Sequence, residues 1–329
     1  MNTVLVSIFF AGKKERMLAQ LAVVTLWITL LLTCKGWWAD ESLLNLSIWS
    51  INVFTYRFLL FIYCVFTIGF IIRPAPILAL LICFIFLLQV IFNGILLQPY
   101  FFYLHLLLLL YGLDPDILLK NSSWMLVGLY LWAGLFKMND VYFSYNEPFF
   151  LAIPFIEIVI ACLLLLRPRP TTYIAMIMQL GIFFYVAAYE DNSEVLPWNV
   201  FIIVQLWMSE SIKKVHFVIS TIIAILFSVF FPFLSINEVY PKSLSWHLYT
   251  KENTLIYVDG QSSQIWFHTN YHLYHPSDHW YVDMLIDKAC DTSATVHLEI
   301  SHKIYPVDCS TGLPKNDFLI FPDKVETIR

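Results

Sequence analysis

Apolar runs follow one another from Leu18 to Leu234, separated only by short polar joints, and that succession leaves few ways to fold. A bilayer core about 30 Å thick takes roughly 20 helical residues to cross. Candidate spans fall at 17–34, 49–71, 75–97, 100–113, 123–139, 149–166, 171–189, 197–212 and 216–235. In hydrocarbon every peptide group must be paired internally, and the two-residue alternation of a membrane barrel is missing. The spans therefore read as helices. Composition agrees: 13% of the 329 residues are charged and 59% are hydrophobic, where soluble domains carry about 25% charge. Disordered, collagenous and coiled-coil classes are excluded. A formal net charge of -5 supplies no basic stripe for nucleic acid.

The fourth, fifth and eighth runs are short for a bilayer, so about nine spans are expected, with eight or seven as the alternatives. Charge placement favours an odd count. With a cytoplasmic N-terminus, the inner joints carry Lys13, Lys14, Arg16, Arg73, Lys120, Arg167, Arg169, Lys213 and Lys214. The outer joints before the tail carry Lys35 and the acidic residues Glu190, Asp191 and Glu194. This is the positive-inside asymmetry, and it puts the tail on the extracytoplasmic side of a bacterial inner or ER-type membrane. Residues 1–12 are too short, and too closely followed by charge, for a cleaved signal. Trp37, Trp38, Trp124, Trp198 and Trp207 lie near span ends, where interfacial anchors belong.

The expected fold is an all-α polytopic membrane bundle over 1–238, with a small α+β extracytoplasmic domain over 239–329. All histidines except His105 and His216 fall in that tail. Thr254–Val258 and Gln264–Phe267 read as strands around an Asp259-Gly260 turn. Residues 279–289 suit a short amphipathic helix, and 295–304 alternates as extended chain. So small a core is marginal alone, and the tail is expected to lean on the bundle. His268, His272, His275 and His279 have helical spacing, but Pro276 interrupts any such helix, and no metal is expected. Cys34, Cys64, Cys83 and Cys162 read as small core residues. Cys290 and Cys309 can pair if the tail lies in an oxidising compartment. Sequons occur at Asn45 and Asn121.

Charged and polar groups within spans are costly, so they pair or do chemistry. Lys137 closes the fifth run, in GLYLWAGLFKMND. Desolvation disfavours an ammonium, so a shielded amine can act as a base towards a weakly acidic hydroxyl; the alternative is a snorkelling lysine. Glu157 lies deeper, in PFIEIVIACLLLL, with Arg57 or Lys137 as its expected partner. His105, among leucines, suits a helix-carbonyl bond or proton transfer. Asn93, Gln98 and Gln179 suit orienting a ligand or locking helices.

WAGLFKMND resembles the signature helix of vitamin K-dependent gamma-carboxylases and of their bacterial relatives, the horizontally transferred transmembrane domain (HTTM) proteins. QPYFFYLHLLLLLYGLD resembles the helix before it, FIEIVIACLLLLRPRP the helix after it, and LSWHLYTKENTLIYVDG the junction into the lumenal part. The resemblance implies that Lys137 deprotonates reduced vitamin K or another hydroquinone. Oxygen is then a co-substrate, and carbon dioxide adds where a glutamate of a peptide or protein substrate is carboxylated. Glu157 and His105 join Lys137 as candidate catalytic residues. Arg57, Gln98, Gln179 and Trp246 are candidate binding residues. Pro99 stands where the carboxylase helix has a histidine, Gln179 where many relatives have one, and the tail is shorter than the carboxylase lumenal region. The expected function is a quinol-oxidising, carboxylase-like membrane enzyme whose partners are lipid and a quinone-like amphiphile. The alternative is a non-catalytic lipid- or small-molecule-binding or assembly protein on the same scaffold.

Overall fold

The structure is a computed structural model, and it describes residues 12–38, 51–93, 96, 98–138, 143, 150–166, 168–189, 195–209, 218–234, 255–258, 261–262, 290, 296–300 and 303–307. Helices dominate. They are α1 (Lys13–Leu32), α2 (Cys34–Trp37), α3 (Val53–Ile72), α4 (Pro76–Phe92), α5 (Pro99–Leu113), α6 (Leu118–Lys137), α7 (Ile153–Leu166), α8 (Pro168–Tyr189) and α9 (Leu196–Met208). After them α10 (Ile219–Ile225) runs through a π turn at Leu226–Phe230 into α11 (Phe231–Leu234).

Local chemistry sets the helix starts. Asn52 caps α3, its side chain accepting from Phe54 N at 2.8 Å, which satisfies one of the orphan amides of a first turn. Prolines open α4, α5 and α9, where a missing N–H costs nothing. Pro99, a departure from the carboxylase-like pattern, is thus the first residue of α5. The fifth run is not short: α6 begins at Leu118, because Asn121, Ser122 and Ser123 are buried inside the bundle.

The helices α1, α3, α4 and α5 run antiparallel in turn. Gln20 Nε2 donates to Ile71 O and Trp27 Nε1 to Thr67 Oγ1 across α1 and α3. Asn93 Nδ2, just past the end of α4, donates to Tyr56 OH of α3. Tyr111 OH of α5 donates to Pro74 O before α4. The α10–α11 segment instead runs parallel to α6: Thr221 Oγ1 donates to Asn121 Oδ1, and Trp132 Nε1 to Val229 O. That last carbonyl lies in the π turn, where the regular helical ladder is interrupted. Gly128 makes the approach close enough, since a Cβ there would collide with Ser228 backbone.

Buried residues concentrate on α5 and α6, while α3, α7 and α8 turn large apolar side chains outward, among them Phe54, Phe61, Leu166 and Ile177. Among the described residues three helices, Lys13–Leu32, Val53–Ile72 and Arg169–Ala188, are long and apolar enough to cross a membrane. An apolar exterior around a core holding Lys137, Glu157, His105, Gln89 and Asn199 suits lipid as the solvent.

Particular expectations shift. Trp37 and Trp198 are buried in the bundle rather than anchored at its rim, whereas Trp38 and Trp207 are exposed. Cys34 and Cys162 face outward, so of those four Cys64 and Cys83 are the partly enclosed ones. In the tail, β1 (Leu255–Val258), β2 (Gln261–Ser262), β3 (Val296–Ile300) and β4 (Lys303–Val307) form an antiparallel sheet in the order β2-β1-β3-β4. The second strand begins at Gln261 rather than Gln264, with Val258 opposite Gln261. The extended run 295–304 is split between β3 and β4, with Leu298 opposite Tyr305. Cys290 is disulfide-bonded. Cys309, Gln264–Phe267, the 279–289 segment, Trp246 and the four spaced histidines lie outside the described residues.

Candidate functional site

Lys137 is the last residue of α6, at the end of a helix where the backbone dipole favours a cation. Glu157 lies in the second turn of α7 and faces it. Lys137 Nζ donates to Glu157 Oε1 at 2.6 Å and to Oε2 at 2.8 Å. The two residues are 4% and 3% exposed, so both carboxylate oxygens close on one amine away from solvent. Gly134, one turn before the lysine, allows the approach: a Cβ there would stand 2.6 Å from Pro154 O and 3.2 Å from Glu157 Cβ.

A chain of amides continues from this pair. Tyr130, two turns before Lys137 on α6, lies within electrostatic reach of Glu157. Its hydroxyl donates to Gln179 Oε1 of α8 at 3.3 Å, and Gln179 Nε2 donates to Asn199 Oδ1 of α9 at 2.6 Å. Asn199 is 1% exposed, and its Nδ2 has no partner among the described residues. Reversing both amides would exchange the orphan donor for an orphan acceptor. Either way, one face of Asn199 stays open.

Of the residues singled out in the sequence, Lys137, Glu157 and Gln179 therefore share one constellation across α6, α7 and α8. The other described ones do not join it. His105 Nδ1 lies 2.7 Å from Phe101 O and its Nε2 3.0 Å from Tyr63 OH. A carbonyl can only accept, so Nδ1 carries a proton and the neutral ring accepts the Tyr63 hydroxyl at Nε2. The same ring stacks on Phe86 with centroids 3.5 Å apart. These contacts place His105 as a helix lock among α3, α4 and α5. Arg57 does not pair with Glu157; its guanidinium lies 4.6 Å over the Trp38 ring. Gln98 precedes α5, its carbonyl accepting from Phe102 N.

Tyr130 and Asn199 are members that sequence reasoning missed. Tyr130 had a usable signal, since seven residues make two helical turns and put it on the face of Lys137. Asn199 had none beyond being polar in an apolar run. The constellation holds an acid–base pair, a phenol and an open amide, groups that can exchange a proton and hydrogen-bond to oxygen. Among the described residues no group of three or more His, Cys, Asp or Glu side chains could hold a metal ion. Family models, curated proteins and solved structures give no match to this chain.

Proposed function

We propose that the protein is a membrane enzyme acting on a reduced quinone or similar hydroxylated amphiphile, with Lys137 as the base. The observation that carries this is the buried Lys137–Glu157 pair, closed by two hydrogen bonds. In a dry setting the ion pair and its neutral form, amine beside carboxylic acid, differ far less than in water, because both charges pay desolvation. Glu157 takes the lysine proton, and the free amine then accepts the proton of a quinol hydroxyl, leaving a quinolate and a restored ammonium. The open amide of Asn199 suits the head group, donating to a substrate oxygen. Apolar outer helix faces give an isoprenoid tail somewhere to lie. On this reading oxygen, and carbon dioxide where a protein glutamate is carboxylated, are the co-substrates. The bundle crosses nine times and the sheet-bearing tail is extracytoplasmic.

A second reading has its own observation. Both donor–acceptor contacts of Lys137 end on Glu157, as in a clamp joining α6 to α7, which a non-catalytic lipid-binding or assembly protein would use equally well. Purification in detergent, mass spectrometry of co-purifying lipid and incubation with quinols, oxygen and bicarbonate separate the two. The enzyme reading expects an oxidised product from wild type and none from Lys137→Ala. Full turnover by Lys137→Ala on every quinol the wild type accepts would end it. Retained amphiphile without product favours the binding protein.

A further inference from the structure

A second set of unsatisfied groups lies apart from the ion pair. Gln89 is fully buried on α4, and neither its Nε2 nor its Oε1 has a partner among the described residues. Trp37, closing α2, is 1% exposed, and its Nε1 is also without a partner there. Phe86 links the two. Trp37 packs against Tyr63 at 5.5 Å, Phe101 at 5.1 Å and Phe86 at 6.3 Å between ring centroids. Phe86 precedes Gln89 by three residues, on the same face of α4.

No described neighbour supplies the missing bonds. Next to Phe86, His105 is engaged with both Tyr63 OH and Phe101 O. One turn after Gln89, Asn93 Nδ2 donates to Tyr56 OH. An amide left bare in a dry interior bears its full desolvation cost, and a lipid-facing bundle offers no bulk water to relieve it. The orphans are donors on Trp37 and Gln89 and one acceptor on Gln89. A hydroxyl oxygen is their complement, with two lone pairs to accept and one proton to donate.

We propose that Trp37 and Gln89 hold a hydroxyl-bearing ligand between α2, α3, α4 and α5, in an aromatic box separate from the Lys137 site. Its source is either ordered water or the hydroxylated head of an amphiphile. The full-length protein is purified in detergent as wild type, Gln89→Leu and Trp37→Phe. Each is then analysed by lipid extraction with mass spectrometry, by thermal unfolding and by high-resolution density. An amphiphile present in wild type and lost from both variants supports the site and identifies the source as lipid. No amphiphile, a lowered Tm in both variants, and a solvent oxygen about 3 Å from Trp37 Nε1 and the Gln89 amide support it with water as the occupant. A raised Tm for Gln89→Leu, with nothing lost and no density beside the amide in wild type, overturns the proposal, since apolar replacement of a truly bare amide is stabilising. Trp37→Phe keeps the ring while removing only the polar edge, so the test stands if Gln89→Leu does not fold.

Discussion

Glu157 and Lys137 stabilise each other only as a pair. Glu157→Gln strands an ammonium in the core, and breaking a buried pair in this way costs about 3–5 kcal/mol. Replacing both residues, as Lys137→Met with Glu157→Leu, removes both charges and is expected to cost distinctly less than Glu157→Gln alone, as chemical or thermal unfolding in detergent would show. On the proposed function, Asn199→Leu lowers affinity for the quinol while leaving the ion pair intact, read as a raised KM with kcat little changed. The ionic residues were legible because a charge within an apolar run stands out. Glu157 had two candidate cations in the sequence, Arg57 and Lys137, and only the packing of α7 on α6 selected Lys137. The Tyr130–Gln179–Asn199 relay was not legible, since its three members come from α6, α8 and α9 and meet only after those helices pack.

Helix positions depend on small residues at the crossings. Gly134→Ala sets a methyl 2.6 Å from Pro154 O, so α7 must move away, and overpacking of this kind costs about 1–3 kcal/mol. The same shift lengthens the Lys137–Glu157 contact, so activity falls more than stability. Gly128→Val, against Ser228 backbone, is expected to destabilise without reaching the ion pair, and a paired melting and turnover assay distinguishes the two. In the joint after α5, burial and then the neighbouring Asp116 charge raise the Asp114 carboxyl above its ordinary value. A raised carboxyl binds its proton more readily in the folded state, so this group favours folding at low pH and loses that effect as pH rises through its folded value. Asp114→Asn should therefore raise Tm near pH 7 and lose that advantage as pH falls below the ordinary carboxylate range. Element boundaries were partly readable. The starts expected at 75 and 100 fall within one residue of those of α4 and α5, but the early start of α6 was hidden by Asn121, Ser122 and Ser123, which look like a surface joint until neighbouring helices bury them.

Across the molecule, the alternating helix directions carry Lys137 and Trp37 to the same end of the bundle, the end opposite Lys13, Arg16, Arg73 and Lys120. On the proposed orientation, expression in an ER-type membrane modifies the Asn45 sequon, and glycan mapping should find Asn121 untouched. Asn121 is fully buried and holds Thr221. Modification of Asn121 would invert the topology. The sequence alone determined that the chain is a bundle of apolar helices and that Lys137 and Glu157 need an explanation, because transfer of apolar and charged groups from water is a property of composition and local order. Tertiary structure decided which cation meets Glu157, that His105 locks helices, and where Asn199, Gln89 and Trp37 are left unsatisfied. Those outcomes rest on distances between segments far apart in the chain, which no local pattern of residues encodes.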